Sequence, residues 1–154
     1  MVCTGSTGKI MLSIAGLERD DLQIFTYSPY PFSKKYKEKP YVNDHHLFYG
    51  TWIERRISNV IGRVFGLNGL NCFFGTVQLI KNMRKKNVDV IHLHNLHSYC
   101  IYFPILMDYI KRKNIKIIWT LHDCWSFTGH CPHFDMIGCD KWKTGCHNCP
   151  QYRE

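Results

Sequence analysis

The run Ile115–Leu121 constrains this chain more than any other stretch. Its largely β-branched and apolar side chains, without strict alternation, read as a parallel strand covered on both faces. It stops at a titratable pair, His122-Asp123. The whole stretch Trp119–Pro150 then becomes dense in Cys, His, Gly and aromatics, and no helical or strand period survives in it. A strand that ends on polar residues and passes into an irregular loop is where open α/β sheets bind ligands.

The residues ahead of that strand supply its partner. Val88–Asn95, VDVIHLHN, reads as a second strand. Between the two lies a helix with Ser98 as its expected N-cap, Pro104 in its early turns and Lys111-Arg112-Lys113 at its close. Strand, helix and strand with short connections form a βαβ crossover, which makes the strands parallel. Further upstream, Gly50–Val64 reads as a basic amphipathic helix, with Trp52, Ile53, Ile57, Val60, Ile61 and Val64 apolar and Arg55, Arg56 and Arg63 polar. A helix from Phe73 ends in Arg84-Lys85-Lys86-Asn87, cations suited to a helix C-terminus. Leu22–Tyr27 reads as a strand and Ser28–Phe48, with its prolines and lysines, as an exposed excursion. Lys9–Leu17 reads as a short helix behind the turn Gly5–Gly8, and Met1-Val2-Cys3 as a very short first strand. No internal repeat stands out.

The 154 residues suit one α/β core over residues 1–130, followed by a Cys-rich tail over 131–154. No apolar run approaches the ~20 residues of a membrane span, and no secretory signal opens the chain. The eight cysteines then read as thiols or metal ligands rather than disulfides. A net charge of +8 favours an anionic partner.

Four groupings can carry chemistry. The two strand ends, His94-Asn95 with His97 and His122-Asp123, belong on one edge of a parallel sheet; an imidazole beside a carboxylate can exchange a proton or hold a sugar hydroxyl. The turn Gly5-Ser6-Thr7-Gly8 opens a helix and lets backbone N–H groups approach an anion. It is neither a Walker loop nor a G-x-G-x-x-G fingerprint. Cys131, Cys139, Cys146 and Cys149 include one C-x2-C and suit a closed structural Zn2+ site. The basic helices suit an anionic membrane surface.

Taken together, GSTGKI at Gly5–Ile10, DVIHLHNLH at Asp89–His97, WTLHDCWSFTGHC at Trp119–Cys131 and GCDKWKTGCHNCP at Gly138–Pro150 resemble the N-terminal domain of family-4 glycosyltransferases of bacterial polysaccharide biosynthesis. The resemblance implies a Rossmann-like parallel sheet flanked by helices, the N-terminal half of a GT-B fold. It implies sugar transfer with retention from a nucleotide-sugar donor to a glycan or lipid-linked acceptor, with no catalytic cofactor, on the cytoplasmic side at the inner face of the plasma membrane. Gly5, Ser6, Thr7 and Gly8 would lie by the donor diphosphate, His122 and Asp123 would be catalytic, and His94, Asn95 and His97 would face the acceptor. In that family the first strand is longer and a donor-binding C-terminal domain follows, and the expectation is that this chain has a truncated first strand and lacks that domain. The expectation is therefore a chain inactive alone, completed by that domain or a partner chain. A zinc-stabilised nucleic-acid-binding module and a metal-dependent hydrolase using His92 and His94 are the competing readings; no nucleic acid partner is expected.

Overall fold

The computed structural model describes residues 6–17, 19–31, 45–128 and 131–150. The chain forms two compact units, Met1–Thr120 and Leu121–Glu154. In the first unit the order is α1 (Ser6–Ala15), β1 (Thr26–Pro29), β2 (His46–Tyr49), α2 (Trp52–Phe65), α3 (Phe73–Lys86), β3 (Val90–Leu93), α4 (Phe103–Lys113) and β4 (Lys116–Trp119). The expected strand at Met1–Cys3 lies outside the described residues.

The expected crossover is present. β3 and β4 are parallel neighbours with Val90 opposite Lys116 and Leu93 opposite Trp119, and α4 connects them. A second parallel pair, β1 with β2, sets Thr26 opposite His46 and Pro29 opposite Tyr49. The architecture is thus mixed α/β with small parallel sheets and flanking helices.

The two helix-to-strand junctions share one design. α3 ends in Arg84-Lys85-Lys86 and α4 in Lys111-Arg112-Lys113, and each is followed by an Asn in the left-handed region, Asn87 at φ 49° and Asn114 at φ 51°. The next residue returns its N–H to the helix, Val88 to the Met83 carbonyl and Ile115 to the Ile110 carbonyl. This is the six-to-one bond of a Schellman ending. Arg-Lys-Lys-Asn-Val and Lys-Arg-Lys-Asn-Ile therefore end the two helices in the same way.

Behind the junctions, Leu79, Ile80 and Met83 of α3 share the core with Leu106, Tyr109 and Ile110 of α4. Each fully buried side chain of this size contributes about 1.5–3 kcal/mol.

Five expectations need correction. β4 is not covered on both faces: all four of its residues are exposed, Ile117 and Ile118 at 44% and 53%, so packing against it leaves both faces open among the described residues. The second strand is Thr26–Pro29 rather than Leu22–Tyr27; Leu22 makes a bridge to Arg19. Ser28 and His46–Phe48 are not part of an exposed excursion, since they belong to the β1–β2 ladder and Ser28 is buried. Ser98 does not cap α4, which starts at Phe103 with Pro104 in its first turn. Arg55, read as part of the polar face of α2, is buried, and the apolar side chains of that helix point outward.

Candidate functional site

The C-terminal end of β3 gathers most of the first unit's chemistry. His92 and His94, two apart on a strand, share a face, and their rings lie 4.3 Å apart centroid to centroid. His92 Nε2 meets Thr120 Oγ1 at 2.7 Å, which ties the end of β3 to the residue following β4. Just beyond, Asn95 Nδ2 donates to Thr7 Oγ1 at 3.4 Å. Two motifs far apart in sequence, the glycine-containing turn and the β3 end, therefore meet. Thr7 and Gly8 are buried in the first turn of α1, which begins at Ser6 rather than at Lys9 as expected. First-turn N–H groups have no partner within their helix, so they are the donors an anion would meet. Gly5 lies outside the described residues.

The loop after Asn95 is held in an unusual conformation. Ser98 and Tyr99 both have positive φ, 77° and 53°. Two consecutive left-handed residues of this kind persist only where surrounding structure enforces them. The enforcing groups are on α2. Arg55, 4% exposed, donates from Nη1 to the Ser98 carbonyl at 3.0 Å. Two turns further along the same face, Gly62 lies against the Tyr99 ring so closely that an added Cβ would collide with it. His97 Nδ1 bonds Ser98 Oγ at 2.8 Å, and the Cys100 thiol donates to the His97 carbonyl at 3.1 Å. The sequence reading missed Arg55, Gly62 and Tyr99 here; the signal available was an Arg and a Gly seven apart, and so on one face of the helix.

His122 and Asp123 open the second unit, and both are half-buried. Asp123 Oδ1 accepts from the Trp125 N–H at 3.0 Å and so starts α5 (Trp125–Thr128). The expected catalytic carboxylate thus has a local structural task. Beyond α5 the unit is fastened by backbone and aromatic contacts. Cys124 N–H donates to the Pro132 carbonyl at 3.0 Å, and Thr128 Oγ1 donates to the Cys131 carbonyl at 2.6 Å. Trp142 packs on Phe127 and Phe134 at centroid separations of 5.3 and 5.1 Å. Lys141 Nζ closes the end of the unit on the carbonyls of His147 and Asn148.

The four cysteines expected to hold zinc do not meet. Cys131, Cys139, Cys146 and Cys149 are free thiols, and no three His, Cys, Asp or Glu side chains among the described residues are grouped to hold a metal. Cys124 lies outside that set; partial burial and then the charges of Asp135 and Asp123 push its thiol up.

A groove between α3 and α4, lined by Phe73, Lys81, Arg84, Ile105 and Arg112 among others, contains none of the expected site residues. Among the described residues no helix is long and apolar enough to cross a membrane.

Comparison with known proteins adds one decisive observation. Over 66 residues the chain is 46% identical to an Escherichia coli (strain K12) protein, WcaC, named as a candidate glycosyl transferase of colanic acid biosynthesis. This stretch resembles a glycosyltransferase. The aligned part is 40% of this chain and 16% of the E. coli protein, so the chain spans a small part of that relative's length. No family model and no solved structure matches the chain.

Proposed function

We propose that this chain forms the acceptor-side half of a retaining, family-4 glycosyltransferase with a GT-B arrangement. In this reading it moves a sugar from a nucleotide donor to a glycan or lipid-linked acceptor during capsule, exopolysaccharide or O-antigen-type synthesis on the cytoplasmic side of the membrane. The observation that carries the reading is the 46% identity to a protein named for glycosyl transfer in polysaccharide synthesis. The meeting of Thr7 with Asn95 supports it, since the diphosphate turn and the acceptor strand end must adjoin in such a reaction.

Each residue then has a task its chemistry can perform. The N–H groups at Ser6, Thr7 and Gly8 would face the donor diphosphate, whose charge the α1 N-terminus favours. His122 would hydrogen-bond the transferred sugar, because an imidazole offers both a donor and an acceptor. Asp123 sits beside it and already fixes the local turn through Trp125. His94, Asn95 and His97 would line the acceptor, with His97 held by the strained loop. No observation favours the hydrolase reading: His92 is engaged by Thr120, and no third metal ligand joins His92 and His94 among the described residues.

The test is sugar transfer from a labelled nucleoside-diphosphate sugar by the polypeptide as the cell makes it. Replacing His122 with Ala should lower kcat about 10²-fold or more, the usual cost of losing a positioned polar group at the reacting centre. Asn95→Ala should act mainly on the KM for acceptor. Wild-type protein that neither binds nor consumes any nucleotide sugar would overturn the reading.

A further inference from the structure

The groove between α3 and α4 has a volume of about 250 Å3, and its polarity changes along its length. The two helices run the same way, since each passes through the same Schellman ending into one of two parallel strands. Toward their N-terminal ends the groove is apolar, with Phe73 and Val77 of α3 and Ile105 of α4. Toward their C-terminal ends it is cationic. Lys81, Arg84, Arg112 and Lys113 line it there against one carboxylate, Asp108. These cations are held in place. The Arg84 guanidinium lies over the Tyr109 ring, 5.4 Å from its centroid, and Arg112 Nε donates to Asp108 Oδ1 at 2.8 Å. A guanidinium carries five N–H donors, so Arg112 can hold Asp108 and a second carboxylate together.

The shape and the charge select one kind of occupant. Ile80 and Tyr109, 8% and 5% exposed, form a recessed floor that inserted side chains reach and a flat surface across the rim does not. A helix laid in a groove inserts anchors at i, i+4 and i+7, and the stripe from Phe73 to Arg84 is about 16 Å long, enough for about three turns. The cations surround two helix C-termini, whose dipoles are negative. The complementary end is a helix N-terminus with acids in its first turn, because the dipole there is positive and the acids stabilise it. A second copy of this chain does not supply that end. Among the described α-helices only α2 has an acid in its first turn, Glu54, and its carboxylate is taken up by the Gly75 N–H at 3.0 Å.

We propose that the α3–α4 groove docks an amphipathic helix of another protein, laid antiparallel to both helices. Its acidic first turn lies beside Arg84, Arg112 and Lys113, and its apolar side chains run over Tyr109 and Ile80 toward Val77 and Phe73. The groove contains none of the residues assigned to sugar transfer, so the interaction stands whether or not the chain catalyses it.

The test is fluorescence anisotropy of a labelled synthetic helix, with glutamates in its first turn and leucines at i, i+4 and i+7, titrated with the whole chain. Saturable binding is expected, weakening as salt is raised. The same peptide with its glutamates moved to the last turn should bind about tenfold more weakly, since the charges then meet the apolar end. Arg84→Glu with Lys113→Glu changes exposed positions and should leave the circular dichroism unchanged while weakening binding about tenfold or more. Val77→Arg separates docking from simple attraction to a chain of net charge +8: it adds a favourable charge but fills the apolar end, and should also weaken binding. Should Val77→Arg not fold, the reversed peptide decides the same point. No binding, equal binding of a peptide with lysines in place of the glutamates, equal binding of the reversed peptide, or tighter binding by folded Val77→Arg would overturn the proposal. Binding to anionic vesicles that the Arg84→Glu, Lys113→Glu protein loses would assign the groove to lipid phosphates instead, and a dimer that it disperses would assign it to a second copy; either overturns the proposal. Anisotropy does not read sugar transfer, so its failure leaves the proposed activity standing.

Discussion

His46 shows how one side chain can join two strands and give the fold a pH dependence. Its ring spans the β1–β2 ladder, with Nδ1 2.8 Å from Thr26 Oγ1 and Nε2 2.9 Å from Ser28 Oγ, and both hydroxyl residues are buried. A neutral imidazole offers one donor and one acceptor, and each hydroxyl can take either role. Burial penalises the imidazolium and lowers the pKa from 6.5 to about 4. The unfolded chain therefore takes up a proton near pH 6.5 that the folded chain refuses until near pH 4. The contribution of His46 is complete above pH 6.5 and declines as pH falls between those values. In urea unfolding, the parent midpoint should drop more steeply from pH 7 to pH 4.5 than that of His46→Gln. The variant should also be about 1 kcal/mol less stable at pH 7, having lost well-formed side-chain hydrogen bonds. Parallel pH profiles for the two proteins would show that His46 is not the responsible group.

At the scale of elements, the inner face of α2 is the point at which the candidate acceptor loop depends on the rest of the fold. Gly62→Ala should destabilise the protein by about 1–3 kcal/mol, because the new methyl must displace the Tyr99 ring from a packed position. Arg55→Met removes the donor to the Ser98 carbonyl from a buried site and should cost a similar ~1–3 kcal/mol, with Arg55→Lys recovering part of it. Chemical denaturation measures both, and faster amide exchange at His97–Tyr99 than in α3 would locate the effect in the loop. Elements of this kind mark the boundary of what the sequence discloses. The βαβ crossover and both helix-to-strand junctions could be read directly, since a cationic last turn followed by Asn is local chemistry. The β1–β2 ladder could not, because parallel pairing joins residues about twenty apart, and the prolines and lysines between them suggest only a loop. The burial of Arg55 was equally hidden: it depends on an absent side chain at Gly62 and on a tyrosine from another element. At the site, His94, Asn95 and Thr7 were each visible as motif members. Their adjacency was not, since the Asn95–Thr7 contact spans 88 residues.

The two units of the whole molecule should separate by the reactivity of their thiols. Cys72 and Cys100 are buried in the first unit, 2% and 1% exposed, and burial together with the charge of Glu54 pushes the Cys72 thiol up to about 11. In the second unit Cys124, Cys131, Cys139 and Cys149 are half-buried and Cys146 is exposed. Since only the thiolate attacks a disulfide reagent, burial and a raised pKa both slow the reaction. Titration of the native protein with an aromatic disulfide at pH 8 should show Cys131, Cys139, Cys146 and Cys149 reacting quickly and Cys124, whose thiol is pushed up, more slowly. Cys72 and Cys100 should react only as fast as the first unit opens, and urea at the unfolding midpoint should release them together. The same experiment decides the role of the cysteine loop. Because its thiols are not grouped around a metal position, stoichiometric Zn2+ should leave the fast phase unchanged. Protection of Cys131, Cys139, Cys146 and Cys149 as a set would instead show that zinc assembles the loop. The aromatic contacts of Trp142 with Phe127 and Phe134 would then be only part of what holds it.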